Sequence, residues 1–482
     1  MVTRAHFLFP RFEVLMKERE STASQPGQLG RALGRRLVRF MLSSIGPALR
    51  LLALGIAVVA VLLYRTPMLG AVRAWVIVAL LVVILVGALV EGAATVRTLR
   101  RRRWGGVSLA ATLAVFWGAA LAVIIGSELD HRAARRSVFS APVEARAVVG
   151  ERFIIGYRDF KEVRMLVEHD AIAGVHVTRR NLSVGVDKLR DEIAALQAIR
   201  AARGRPPLLI AADHEGGVVS HLAPPLNKLP GLGVVGARSE GEREAAARDH
   251  ARVQGADLRR LGVNLNFAPV VDLRLVEIDR LLDRFSRIDA RAISHTPTVI
   301  EAVASWYCEE LRTFRVACTL KHFPGLGRVR EDTHFVAGKI DAAVELLTAE
   351  DWVPFRTVAS SGGPSTLIMV AHAIVPTIDS DRPASRSRAL IAGVIRESWA
   401  HQGVLVTDDL SMLPISRGPG GVGGASLDAV KAGVDYLLIA YDPDLFYEAA
   451  AALLRRWHEV PPEVEAASIP RRARLTGWLN SD

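Results

Sequence analysis

VACTLKHFPGLG, residues 316–327, is the stretch on which the fold turns. Val316 to Leu320 is an apolar run of the kind that makes a strand buried on both faces. Lys321 and His322 stand where that strand should end, and proline and glycine follow at once. A buried strand whose C-terminal end carries ionisable side chains and leads into a loop is the unit from which parallel α/β enzymes assemble their sites.

Seven similar runs flank it: Phe153–Ile155, Gly174–Val177, Leu208–Ala212 and Val263–Pro269 before it, and Leu367–Ala371, Gly403–Thr407 and Asp435–Ile439 after it. Longer helix-compatible stretches separate them. Eight buried strands alternating with helices over about 290 residues predict a closed (β/α)8 barrel of the TIM type rather than an open sheet. In such a barrel the chemistry sits where strands end. At those places the sequence carries DHEGG (Asp213–Gly217), Asp272, KHFPGLG continuing to EDTH (Glu331–His334), His372 and TDDLSM (Thr407–Met412). One such residue alone would read as a cap or a satisfied strand end; together they predict one polar mouth. The RGPGGVGG stretch, 417–424, reads as a loop after the seventh strand.

Outside the barrel the composition changes. The chain has 482 residues, half of them apolar and 23% charged, with a mean hydropathy of +0.24. That excludes a disordered or fibrous protein and points to membrane-embedded length. The net charge is +11, but residues 1–140 hold 19 Lys and Arg against 6 Asp and Glu, leaving 42 against 44 for the rest. Basicity confined to one end and alternating with apolar runs marks the flanks of membrane helices, and no nucleic-acid partner is expected. Trp104 to Ser127 is 24 residues without a charge, Ala74 to Val90 is 17, and Leu51 to Tyr64 is 14. About 20 residues cross a bilayer core, so the third run spans, the second spans if Glu91 lies near the interface, and the first requires a start near Ile45 with Arg50 snorkelling. The predicted organisation is a basic cytoplasmic segment (1–44), about three transmembrane helices (45–127), a linker (128–147) and the barrel with C-terminal helices (148–482). Arg31, Arg35, Arg36 and Arg39, and Arg97 with Arg100 to Arg103, mark the cytoplasmic loops. This predicts a multi-pass protein of a bacterial inner membrane, in contact with bilayer lipid, whose barrel is extracytoplasmic.

Two cysteines, Cys308 and Cys318, exclude a disulfide-stapled scaffold and a four-cysteine zinc site; Cys318, inside a strand, reads as a small core residue. There is no HExxH, P-loop, GxSxG elbow or strand-linked GxGxxG, so neither metal nor cofactor is expected. What remains is a carboxylate at a strand end, Asp408, and an imidazole on a loop, His334, two residues after Asp332. An extended Asp-x-His places both side chains on one side, so the carboxylate can orient the ring and raise its basicity. A carboxylate nucleophile with a separate proton donor is the requirement of retaining glycoside hydrolysis.

At these residues the chain resembles glycoside hydrolase family 3, in its β-N-acetylglucosaminidase (β-N-acetylhexosaminidase) branch. That family's signature is KH(F/I)PG(H/L)G, four variable residues, then D(S/T)H, and Lys321–Gly327 followed by Asp332-Thr333-His334 matches it at full spacing. LLIAADHEGG, IMVAHAIVP and VLVTDDLSM resemble the family's third-strand, sixth-strand and nucleophile segments, and IDARAISHTP resembles the segment that ordinarily reads IGxRSFGxDP. The resemblance covers about 300 residues, from about 150 to 450. It implies that Asp408 is the nucleophile, Asp409 a structural neighbour, and His334 the general acid/base oriented by Asp332. It also implies that Asp213, Arg291, Lys321 and His322 bind the terminal sugar, with Met412 beside them. The implied substrate is a β-N-acetylglucosaminide from cell-wall fragments. Two departures stand out. Where the family usually continues RVxRL after EGG, this chain reads VVSHL, so Val218 and His221 replace two arginines and His221 supplies at most part of their hydrogen bonding. The stretch from Asp272 to Arg291 is longer than usual. A family 3 β-glycosidase or phosphorylase for another sugar, and a catalytically inactive sugar-sensing membrane protein, are the alternatives; retention of Asp408, Asp332 and His334 argues against the last.

Overall fold

The computed structural model describes residues 46–102, 104–275, 283 and 285–481. The basic segment 1–44, with Arg31, Arg35, Arg36 and Arg39, lies outside them. Two compact units divide the chain: residues up to Tyr64 with Ala74–Ile125, and Arg65–Arg73 with Gly126–Asp482.

The first unit is built from apolar helices α1 (Pro47–Leu63), α2 (Arg73–Arg100) and the first part of α3 (Trp104–Ser140). Leu54, Val61, Leu80, Ile84, Leu113 and Trp117 form its core. A Cβ on Gly87 would meet the Trp117 ring at 2.4 Å, so the missing side chain is what lets the ring pack against α2. Of the three expected spans, Arg73–Arg100 and Leu109–Ser140 are long and apolar enough to cross a membrane; the helix over Leu49–Leu63 is shorter, and Pro67 follows soon after its end. Arg50, expected to snorkel, has a partner on the facing helix. Its guanidinium pairs with Glu91, Nε donating at 2.9 Å, a charge-assisted bond that satisfies both groups among apolar helices. The segment expected as a linker, 128–147, is helical to Ser140 and again over Val143–Gly150. Charge begins at Glu128, but Ala and Arg in the same stretch sustain a helix.

The second unit is the barrel. Strands β1 (Phe153–Gly156), β2 (Gly174–His176), β3 (Leu209–Ala212), β4 (Leu265–Asn266), β5 (Ala317–Phe323), β6 (Thr366–Val370), β7 (Leu405–Thr407) and β8 (Leu437–Ile439) run parallel in the order β8-β1-β2-β3-β4-β5-β6-β7. Each lies on one of the eight apolar runs. A single bridge, Val406 to Tyr436, joins β7 to β8 and completes the ring. Alternation sorts the side chains: Ile154, Leu209, Ala211, Leu265, Leu367, Met369, Val406 and Leu438 fill the interior, while Phe153, Ile155, Ile210, Ile368 and Leu437 face the helices. Leu475 of the C-terminal helix, Pro462–Asn480, packs into the interior cluster and closes the base.

Cys318 is buried as expected of a core residue, but it is not free. It forms a disulfide with Cys308, Cα to Cα 5.5 Å, because the last turns of the helix Pro297–Thr313 lie against the strand that follows it.

Candidate active site

The C-terminal ends of the strands converge on a charged cluster. Lys321, 1% exposed near the end of β5, donates to Asp213 Oδ1 at 2.5 Å and lies 2.7 Å from Glu215 Oε1. Arg291, at the end of the short helix Ile288–Arg291, clasps Glu215 with two bonds, Nε at 2.9 Å and Nη2 at 2.7 Å. Asp213 also pairs with His176 Nε2 at 3.0 Å. Two acids and two bases are thus buried together in mutual neutralisation, the condition under which buried charge is tolerated. Burial pushes the Asp213 carboxyl up, but Lys321 and His176 outweigh it and hold it well below the carboxylate range. Glu215 is likewise drawn down to about 2, burial being overcome by Arg291 and Lys321.

The DHEGG segment turns back on itself as a hairpin, His214–Gly216 against Val219–Ser220. Gly216 (φ +90°) and Gly217 (φ +61°) make that turn, and a Cβ on Gly216 would lie 2.4 Å from the Pro230 carbonyl.

His322 is fixed from both sides. Its Nδ1 donates to Asp272 Oδ2 at 2.7 Å, and Arg291 Nη2 donates to its Nε2 at 3.1 Å. Asp272 also accepts from the backbone N–H groups of His322 and Leu326, which ties the KHFPGLG loop to the end of β4.

Asp408 follows β7 directly. Burial raises its carboxyl, but the imidazoles of His322 and His372 and the N–H of Asp409, at 2.8 Å, prevail and keep it below its ordinary value, hence ionised. Asp409 is different in kind. Its oxygens accept from the N–H groups of Ser411, Ala440 and Tyr441 at 2.9 to 3.0 Å, joining the loops after β7 and β8; burial raises its carboxyl. His372 spans this region, Nδ1 to Ser385 Oγ at 2.7 Å and Nε2 to the Asp409 carbonyl at 3.1 Å.

His334 sits on the loop after β5, half exposed. Asp332 Oδ1 takes both its backbone N–H (3.1 Å) and its Nδ1–H (2.9 Å), and Asp332 Oδ2 takes the Phe285 N–H at 3.0 Å. Burial raises Asp332, yet these donors hold it low. The pair therefore presents Nε2 as the free, basic end of an oriented imidazole.

Asp213, Arg291, Lys321 and His322 share one network, with Asp408 facing His322. His221 lies beside that network, electrostatically coupled to Asp213, and its backbone N–H donates to the Asp213 carbonyl at 3.2 Å. Met412 caps the short helix Leu413–Ser416. Sequence reasoning did not single out His176, Glu215, Asp272 or His372 as site residues. Three of them stood in the quoted strand-end segments, so position was the available signal; His176 showed only as a polar residue inside an apolar run.

A parallel eight-stranded barrel with carboxylates, a lysine, an arginine and oriented imidazoles gathered at one mouth has the architecture of a barrel enzyme with its polar groups at the C-terminal ends of the strands. Residues 143–469 match the glycosyl hydrolase family 3 N terminal domain, and the chain belongs to that family; it is a glycoside hydrolase. A relative, the beta-hexosaminidase of Xanthomonas axonopodis pv. citri (strain 306), is 37% identical over 295 residues, covering 60% of this chain and 82% of that protein. Among solved structures, the family 3 β-N-acetylglucosaminidase of Paenibacillus sp. str. FPU-7 has a TM-score of 0.63 at 29% identity, over 70% of this chain and 63% of that one. The β-N-acetylhexosaminidase of Beutenbergia cavernae gives 0.61 at 26%, over 71% of this chain and all of the other.

Proposed function

We propose that this protein is a membrane-anchored, retaining exo-β-N-acetylglucosaminidase that releases terminal N-acetylglucosamine from peptidoglycan-derived sugars. Asp408 attacks the anomeric carbon and forms a covalent glycosyl-enzyme. His334, oriented by Asp332, protonates the leaving oxygen and then deprotonates the incoming water. Asp213, Lys321, Arg291 and His322 take the sugar hydroxyls, with His221 and Met412 at the edge of the pocket. The observation that carries the reading is the contrast between two carboxylates: Asp408 is held ionised with its attacking oxygens uncommitted to a cation, whereas Asp332 is committed to orienting an imidazole. The names of the relatives support N-acetylglucosamine as the sugar.

The barrel is assigned to the extracytoplasmic side. The buried Cys308–Cys318 disulfide suits an oxidising compartment. In addition Arg65–Arg73, the connection between α1 and α2, belongs to the barrel unit, which agrees with two crossings, α2 and α3, between that connection and the barrel.

The test is leaving-group dependence in the full-length protein. Asp408→Ala should lower activity by roughly 10³-fold or more on every substrate. His334→Ala should slow substrates with poor leaving groups by about 10²–10⁴-fold and activated aryl glycosides far less, and azide should rescue its second step. Equal losses on good and poor leaving groups, or an α product from the intact enzyme, would show that the roles are misassigned.

A further inference from the structure

The proton donor fixes where a leaving group has to lie. Lys321 and His322 are buried and Arg291 nearly so, whereas the His334 side chain is 46% exposed at the rim of the same mouth. A general acid stands within a hydrogen bond of the oxygen that it protonates. The leaving group is bonded to that oxygen, so it lies beside the imidazole, across the scissile bond from the buried cluster that takes the terminal sugar. The side chains packed around His334 therefore line the leaving-group side.

Two of them are phenylalanines. The Phe285 ring has its centroid 5.9 Å from that of His334 and 5.5 Å from that of Phe335, with planes inclined at 56° and 63°. Phe335 follows His334 directly, and Phe285 comes from the stretch between Asp272 and Arg291 that is longer than usual in this chain. Their backbone is tied down on every side. Phe285 donates its N–H to Asp332 at 3.0 Å, the Ser286 carbonyl accepts from Arg291 Nη1 at 2.7 Å, and the Thr333 N–H reaches Ser286 Oγ at 3.4 Å. The His334 carbonyl accepts from Leu413, in the segment after β7, at 3.1 Å. Segments after β4, β5 and β7 are thus joined around the imidazole, all within the barrel unit. Even packed against each other, Phe285 remains 55% and Phe335 40% exposed, with Val336 beside them at 48%. Large apolar side chains held open to water in one place mark a binding surface.

We infer that Phe285 and Phe335 form the leaving-group subsite and that its occupant is a second pyranose ring, so that the substrate is a di- or oligosaccharide rather than the glycoside of a small alcohol. The inference rests on the glycosidase reading above. A pyranose has C–H groups on its face and hydroxyls around its edge. The first suit a rigid aromatic surface; the second suit a rim open to water, and the loop that carries Phe335 also exposes Arg330 and Glu331. The Phe285 N–H serves Asp332 through the backbone alone, which leaves its ring free for the substrate.

The test compares kcat/KM of the full-length protein on the β-1,4-linked disaccharide of N-acetylglucosamine, on methyl β-N-acetylglucosaminide, whose aglycone is too small to reach the rings, and on the hexyl glycoside. Phe285→Ala and Phe335→Ala should each lower the disaccharide-to-methyl ratio by about 10-fold, the scale of one aromatic contact. Phe335→Tyr, which keeps the ring, should hold the ratio at the wild-type value. Phe285→Leu and Phe335→Leu keep apolar volume without a ring and should lower it as Ala does, so the test stands even where a truncation fails to fold. An unchanged ratio in the Ala and Leu variants overturns the inference while leaving the glycosidase reading intact. Equal losses on disaccharide and methyl glycoside, with the basic limb of the pH–rate profile displaced, mean that the rings act only through His334 and overturn it too. A hexyl glycoside that loses as much as the disaccharide overturns the choice of a sugar as occupant. Failure of the wild type on every substrate overturns the glycosidase reading, and the subsite with it.

Discussion

Replacing Lys321 by Met tests the buried charge cluster most directly. The ammonium is almost completely buried, 2.5 Å from Asp213 and 2.7 Å from Glu215, and Met preserves most of its volume, so the change removes charge with little loss of packing. Breaking a buried pair from one side costs about 3–5 kcal/mol because the other charge is left uncompensated. Glu215 keeps both bonds to Arg291, whereas Asp213 keeps only His176. One carboxylate is stranded rather than two, which sets the expectation at the low end, ~3 kcal/mol. For a barrel of this size each kcal/mol moves Tm by ~2 °C, so the midpoint should fall by ~6 °C. Thermal unfolding of the full-length protein followed by circular dichroism reads it. Adding Asp213→Asn removes the stranded charge and should restore about 1–2 kcal/mol of the loss, as coupled residues do. A single variant that melts with the wild type, or a double variant that melts below the single one, would refute the view that these charges are held by mutual neutralisation.

Three further outcomes are expected. The depressed Asp408 carboxyl predicts an acid limb of kcat/KM below the ordinary aspartate range near pH ~4, and His372→Gln should move that limb upward in a pH–rate profile. Asp170, held at about 2 despite burial by Arg203 and Arg205, adds stability that is full above its unfolded pKa of ~4 and is lost as pH falls through the folded value. Asp170→Asn, compatible with the left-handed φ of +53° there, should therefore lower stability at neutral pH and flatten its decline between about pH 4 and 2, measured by urea titration. Changing both Cys308 and Cys318 to Ser opens a loop of sequence separation 10 and should cost roughly 3 kcal/mol of stability by the chain-entropy relation; thiol titration of the unreduced protein should detect no free sulfhydryl.

Legibility of the sequence followed the range of the interactions involved. Strands announce themselves by local composition, and each of the eight runs carries one. Their lengths were less legible: Val263–Pro269 shrinks to Leu265–Asn266, since Phe267 donates to Ala212 of β3 while Val270 pairs with Lys321 of β5, a change of partner that no local pattern encodes. Asp332 and His334 could be paired from their spacing because two residues of extended chain fix the geometry. Glu215 with Arg291, 76 residues apart, and Arg50 with Glu91, 41 apart, are set by packing and have no local signature. The disulfide was hidden for the same reason, its two cysteines lying in different elements whose contact only the barrel creates.

The seam between β7 and β8 carries one ladder bridge, but an aspartate stitches it at either end. Asp435 at the base takes the Leu405 N–H, Arg396, Arg471 and Ser468; Asp409 at the mouth takes the Ala440 and Tyr441 N–H groups. Closure of the ring at this point therefore adds these two side chains to backbone bonds that cross the seam, among them the Thr407 N–H to the Tyr436 carbonyl at 3.0 Å and the Leu410 N–H to the Leu438 carbonyl at 2.9 Å. The strand residues along the seam are buried and answer to packing alone, whereas the two stitches answer to hydrogen bonding and should tolerate no loss of the carboxylate. In a library of random variants, loss at Asp409 or Asp435 would deplete folded protein, whereas loss at Asp408 would leave its yield untouched. Two adjacent aspartates thus belong to different selective regimes, one guarding architecture and the other turnover.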